Sequence, residues 1–389
     1  MGGIGRRGFL RGAVVGGGAV AVSGGLWQAA AGAVPAQPGA GPYGGPAGAD
    51  ANGVRLPAGF TSRVVARSMQ AVGGTGYVWH AAPDGGACFP DGEGWIYVSN
   101  SEVPVVGGAS AVRFAADGSI TGAYRILNLT QVNCAGGATP WGTWLSCEEY
   151  DLGMVYETDP KGVNAAKSRP AMGRFKHEAA AADPVRKVVY LTEDQTDGCF
   201  YRFLPTTWGD LSKGTLEVLV GTGPGPVTWQ KVPNPQLWLT PTRNQVAGAL
   251  RFTGGEGCHY AGDVCYFTTK GDNRVWAYDA ATSVLEIAYD DDLVTTGTAP
   301  LTGVDNITGT SGGDLYVAED GGDLQINVIT REGVVTPFLQ LEGHTGSEIT
   351  GPAFSPDGSR LYFSSQRGTT GVVLGTGGVT FEVTGPFRS

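Results

Sequence analysis

The residues best suited to chemistry gather in one stretch: Asn133-Cys134-Ala135-Gly136-Gly137-Ala138-Thr139-Pro140-Trp141-Gly142-Thr143-Trp144-Leu145-Ser146-Cys147-Glu148-Glu149. It joins a cysteine, a glycine-rich turn, a tryptophan-rich strand and two adjacent carboxylates. Thiolate sulfur is a soft ligand for a transition metal, and carboxylate oxygen is a hard one for calcium or ferric iron. Read alone, the stretch also fits a tight turn feeding a strand whose acids face water. Two other chemistries have little support. The four histidines, His80, His177, His259 and His344, are not paired at metal-ligand spacing, which argues against a conventional zinc site. No G-x-S-x-G elbow is present, which argues against serine-based hydrolysis.

The elements that must position these groups repeat along the chain. A turn residue, an alternating aromatic and aliphatic run and a polar or acidic end recur six times, beginning with Gly94-Trp95-Ile96-Tyr97-Val98-Ser99-Asn100 and Gly142-Thr143-Trp144-Leu145-Ser146-Cys147-Glu148. The others are Lys187-Val188-Val189-Tyr190-Leu191-Thr192-Glu193, Asp263-Val264-Cys265-Tyr266-Phe267-Thr268-Thr269, Asp314-Leu315-Tyr316-Val317-Ala318-Glu319-Asp320 and Arg360-Leu361-Tyr362-Phe363-Ser364-Ser365-Gln366. Their spacing is near that of propeller blades, about 40–50 residues each. The longer gap from Gln195 to Asp263 implies an insertion or a longer blade. Arg274-Val275-Trp276-Ala277-Tyr278 reads as a second strand after a short polar turn. An all-β fold, a six-bladed β-propeller, accounts for the six repeats. A two-sheet sandwich would place its turns at shorter and more even intervals. Polar residues near the strand ends, Asn100, Glu102, Glu148, Glu193, Glu319 and Gln366, are expected to converge on the propeller axis.

Composition agrees with many tight turns: 65 glycines, with charged residues at only 16%. A net charge of −10 gives no basic face for nucleic acid. Acidic excess suits cation binding where carboxylates converge. At the N-terminus, Arg6-Arg7-Gly8-Phe9-Leu10-Arg11 is a twin-arginine motif, followed by a weakly apolar run over 12–27 and small residues over 29–36. We therefore expect a signal peptide over 1–36, a flexible lead-in over 37–55 and one domain over 56–389. Export through the twin-arginine machinery would deliver the folded protein to the periplasm or the cell exterior. No later segment is long and apolar enough to span a bilayer. Of the six cysteines, Cys88, Cys199, Cys258 and Cys265 lie in apolar or aromatic settings. Cys258 and Cys265 are the best candidates for a disulfide.

The stretch from Asn133 to Glu149 resembles the motif of the PhoX-type alkaline phosphatases, which runs NCAGG, TPWGTWL, then a cysteine and paired glutamates. Shorter matches follow in that family's order: Gly173-Arg174-Phe175-Lys176-His177-Glu178, Tyr190-Leu191-Thr192-Glu193-Asp194-Gln195, Gly198-Cys199-Phe200-Tyr201-Arg202-Phe203, Glu256-Gly257, Asp305-Asn306, Asp314-Leu315-Tyr316-Val317-Ala318-Glu319-Asp320 and Glu348-Ile349-Thr350-Gly351-Pro352. The resemblance runs from Leu56 to the C-terminus. It implies a propeller that hydrolyses phosphate monoesters with an iron–calcium cluster. It further implies Cys134 as the thiolate on ferric iron and Glu148 or Glu149, Glu178, Glu256 and Glu348 as carboxylate ligands. Asn100, Glu102, Asp305, Asn306 and Glu319 are further candidates for calcium.

Two positions depart from the family pattern. Larger members carry a phosphate-holding arginine two residues before the glutamate matching Glu256, where this chain has Gly254. Val132 stands where many relatives have a basic residue. Arg125, Lys176 and Arg251 lie near the motif segments and are candidates to compensate. Two other functions compete: a one-calcium propeller of the lactonase or esterase type, and a metal-binding propeller that serves as a scaffold. A lactonase has no use for the Cys134 thiolate, whereas Gly254 keeps the scaffold open.

Overall fold

The computed structural model describes residues 34–236, 239–372 and 377–388. The expected signal peptide thus lies outside the described residues, apart from 34–36. Six sheets, antiparallel but for one added edge strand, form six blades around one axis. Their innermost strands are Pro83–Asp91, Asn133–Ala138, His177–Asp183, Gly255–Ala261, Val304–Gly309 and Ile349–Phe354, which pack on one another in a closed cycle. Each blade then steps outward through hairpins, so neighbouring strands in sequence are neighbours in the sheet. The long gap after Gln195 becomes a five-stranded third blade, whose outermost strand is Thr228–Lys231. Arg274–Asp279 pairs with Val264–Thr269 as the hairpin reading requires.

The six sequence repeats fall on the second strand of each blade, not on the innermost one. These strands lie between blades, which is why both their faces are apolar. Tyr190, Tyr266, Tyr316 and Tyr362 occupy matching places, Tyr97 sits one residue out of register and stacks on Tyr362, and all five are buried. Full burial of such a ring contributes roughly 1.5–3 kcal/mol, so five copies weld the ring of blades together.

The sixth blade closes the circle with its outer strand, Thr61–Arg67, which comes from the start of the domain and pairs with Val379–Thr384. The segment expected to be a flexible lead-in, 37–55, is instead laid along the fifth blade. Gln37–Pro38 runs parallel to Val334 and Val335, and Val54–Arg55 pairs with Gln340 and Leu341. Two apolar anchors, Ala36 and Val54, are buried beneath it and fix its course. No helix among the described residues is long and apolar enough to cross a membrane.

Candidate metal centre

Near the start of each innermost strand the ladder slips. In five blades it slips after Pro83, Asn133, His177, Gly255 and Val304, and in the sixth it slips one residue later. A bulge of this kind re-aims a side chain. The residues it re-aims are Asp84, Cys134, Glu178, Glu256 and Asp305, with Thr350 at the matching place in the sixth blade. Across the ladder, Pro83, Asn133, His177, Gly255, Val304 and Ile349 face Ser101, Glu148, Glu193, Thr269, Glu319 and Ser365. The next residues on those second strands are therefore also equivalent: Glu102, Glu149, Asp194, Lys270, Asp320 and Gln366. Two tiers of side chains follow, one from inner strands and one at the rim.

The tiers meet in a chain of overlapping ligand groups. Asp84, Glu102 and Cys134 bring donor atoms within 4.8 Å of one another, as do Cys134, Glu149 and Glu178, and again Glu178, Glu256 and Asp305. Glu178 thus links a sulfur-containing group to an all-oxygen one. It is buried, and neither of its carboxylate oxygens has a hydrogen-bond partner. An unpaired buried carboxylate is costly, and cation binding is the usual resolution. The donor set fits a thiolate-tolerant metal beside calcium.

The same crowding acts on protonation. Burial, then Asp84 and Glu149, push Glu102 up to about 8. Burial and Asp194 raise Glu149 to about 7, and burial raises Asp84 to about 6 against the pull of its Gln366 hydrogen bond. Glu178, Glu256, Asp305, Glu348 and the Cys134 thiol are all raised well above their ordinary values, burial being the first cause for each.

Beneath the cluster the inner strands come together over small residues. A side chain on Gly85 would start 2.4 Å from the Cα of Ala135, and one on Gly257 would start 2.5 Å from the amide nitrogen of Ile307. Only glycine permits this approach, which floors the site. Below the floor the axis reopens as a cavity of about 340 Å³, lined by Cys88, Cys258, His259 and Phe354 among others.

Of the expected ligands, the structure brings together Cys134, Glu149, Glu178, Glu256, Asp305, Glu102 and Glu348; Glu348 interacts with Asp84 and Asp320. It sets Glu148, Glu319 and Asn100 apart. Glu148 accepts hydrogen bonds from the amides of Gln131 and Met154, and Glu319 from those of Thr302 and Gln325. Glu193, in the third blade, accepts from the Cys199 amide and the Tyr201 hydroxyl. These acids clamp loops; successive strand residues point to opposite faces, so the following residue is the one that faces the axis. Asn100 spends its amide on the carbonyls of Cys134 and Ala135, and its oxygen accepts from Trp144 and Ser146. It positions the cysteine. Asn306 stands beside the cluster, but its oxygen accepts from the Gly351 amide at 2.6 Å.

Residues not foreseen complete the site. Asp84 belongs to the inner tier, and Lys270, Asp320 and Arg367 belong to the rim. Aligning the second member of each strand-end pair across all six repeats would have found Asp194, Lys270 and Asp320 together. Of the three basic candidates only Lys176 arrives, 3.5 Å from Glu149. Arg125 binds the carbonyls of Leu127 and Gly107, and Arg251 that of Asp197. The position of Gly254 is left-handed, with φ of 72°. No histidine enters the cluster: His177 stacks on Phe175, His80 and His344 hydrogen-bond serines, and His259 lines the cavity below the floor. Cys258 and Cys265 are free thiols with sulfurs 3.4 Å apart, so the expected disulfide is not formed.

The family model described as Alkaline phosphatase PhoX matches residues 97–153 and 150–368. Among solved structures, Pseudomonas fluorescens PhoX in complex with vanadate, a transition state analogue, superposes with a TM-score of 0.73 at 16% identity, covering 90% of this chain and 98% of that one. The gluconolactonase XC5397 from Xanthomonas campestris superposes with a TM-score of 0.50 at 12% identity, covering 89% and 99%. Both likenesses are of fold. No curated protein matches the chain.

Proposed function

Since this chain belongs to the alkaline phosphatase PhoX family, we propose that it is an exported hydrolase of small phosphate monoesters, with ferric iron and calcium held at the axial cluster. The observation that carries the reading is Glu178, buried without a hydrogen-bond partner between a thiol-containing group and two further carboxylates. Cys134 and Glu149 would hold iron. Asp84, Glu102, Glu256, Asp305 and Glu348 would hold calcium, with Glu178 between the two sets. Such metals, when bound, supply positive charge for an in-line phosphoryl transfer and activate its nucleophile.

The chain's own residues do the rest. The close approach of the inner strands at Gly85 and Gly257 narrows the axis beneath the cluster, so that substrate reaches it from the rim. Lys270 and Arg367 bring positive charge to the rim, where an anionic ester must approach, whereas Lys176 is paired with Glu149. No histidine stands in the cluster as a base. Without metal, burial and the neighbouring acids push Glu102 up to about 8, so that it gives up a proton when a cation takes its place.

The test is elemental analysis of natively exported protein beside a p-nitrophenyl phosphate assay. Turnover that vanishes on chelation and returns with iron and calcium is the expected result. Metal-loaded protein without phosphomonoesterase activity would sink the reading and favour the scaffold.

A further inference from the structure

The six-fold equivalence of the rim exposes one exception. Five blades present an oxygen donor there: Glu102, Glu149, Asp194, Asp320 and Gln366. The fourth blade presents Lys270, whose ammonium cannot ligate a cation. Its Nζ lies 2.7 Å from Glu256 and 3.2 Å from Asp194. Its stem crosses Gly254 so closely that a Cβ at that position would sit 3.1 Å from Lys270 Cγ and 3.3 Å from an Asp194 oxygen. The space above Gly254 is therefore taken by a lysine arriving from the neighbouring strand. The side chain of Lys270 remains 38% exposed, so its charged end stays within reach of a ligand at the mouth.

We propose that Lys270 is the phosphate-binding arm of this site, and that its ammonium is shared between the carboxylates of the fourth-blade sector and the oxygens of the bound phosphate. The proposal rests on the phosphatase reading above. An ammonium seated on Glu256 competes with any cation for that carboxylate. A cation that takes Glu256 weakens the lysine's hold there and frees it for an anion. Lysine serves this role as a mobile point charge, where arginine would offer a fixed fork. Lys176 sits two residues before Glu178, as Gly254 sits two before Glu256, but it pairs with Glu149 on the sulfur-containing side. It serves as the internal control.

Two opposed effects follow for Lys270→Met, which keeps the stem and removes the charge. Calcium binding to chelator-stripped full-length protein, followed by calorimetry, should tighten several-fold. Inorganic phosphate binding to iron- and calcium-loaded protein should weaken by about ten- to a hundredfold, the worth of a charged hydrogen bond. Lys270→Arg should recover most of the phosphate affinity, and Lys176→Met should change it much less. A merely structural lysine would weaken both ligands together, and that result would overturn the proposal. Unchanged phosphate affinity in Lys270→Met would overturn it too, while leaving the phosphatase reading intact if the wild type binds phosphate and turns over ester. If the metal-loaded wild type binds no phosphate, both fall. Should Lys270→Met misfold, Lys270→Gln answers the same question with a neutral polar end.

Discussion

Cys134 and its neighbour Asn100 show how one polar residue holds a ligand while another becomes one. The amide of Asn100 pins the two carbonyls around the bulge, which leaves the sulfur free to face Asp84, Glu102, Glu149 and Glu178. Cys134→Ser should therefore lower bound iron sharply while thermal stability stays within a few degrees, because the oxygen keeps the size but not the softness of sulfur. Elemental analysis and a melting curve on one preparation check this; undiminished iron would remove the thiolate from the account. Most of the residues that gather at the cluster were named through the resemblance to the family's motifs, in which acids and glycines stand in recognisable runs. Asp84 was not, because its run, Pro83-Asp84-Gly85-Gly86, reads as an ordinary turn until the bulges are superposed.

Strand parity explains the remaining misreadings. A strand-end pair such as Glu148-Glu149 offers two acids, and no composition or spacing says which faces inward. The fold decides by giving the first acid two loop amides to bind, at Glu148 and again at Glu319. The adjacent pair then makes a sharp experiment. Glu148→Ala should cost about 2–4 kcal/mol, since it strands buried amides, and should leave the metal content per folded molecule unchanged. Glu149→Ala should do the reverse, with stability kept and iron lost. Denaturant melts beside metal analysis distinguish the two. Equal behaviour of the variants would mean that the strand does not separate the roles. The repeat count itself was readable, because each second strand needs an aromatic to fill the gap between blades. Which layer of the blade carried the repeat was not, since innermost strands such as Asn133–Ala138 and His177–Asp183 are small-residue runs with no aromatic repeat to mark them.

For the molecule as a whole, the cluster sets how stability answers to pH and to metal. Folded Asp84, Glu149 and Glu102 keep their protons to about 6, 7 and 8, whereas unfolded carboxyls release theirs near 4. Between those limits the native state binds more protons, so stability must fall as pH rises through the window. Chelator-stripped protein should thus melt at a higher temperature at pH 5 than at pH 8. Metal-loaded protein should show the opposite order, because cation binding displaces those protons. Equal melting of the stripped protein at both values would mean that the carboxyls ionise freely. Export belongs to the same scale: Arg6→Lys with Arg7→Lys should leave the protein in the cytoplasm, as cell fractionation would show, and efficient export of that variant would discard the twin-arginine reading. The seam of the ring carries one more consequence, in the order of events at birth. Thr61–Arg67 leaves the ribosome long before its partner Val379–Thr384. Until that partner emerges, the nascent chain is an open arc with an unpaired edge, exposed to mispairing and dependent on a very distant contact to close. Closure of the ring fixes the sixth blade against the first, and the compartment where it closes decides which ions an axial site would meet first.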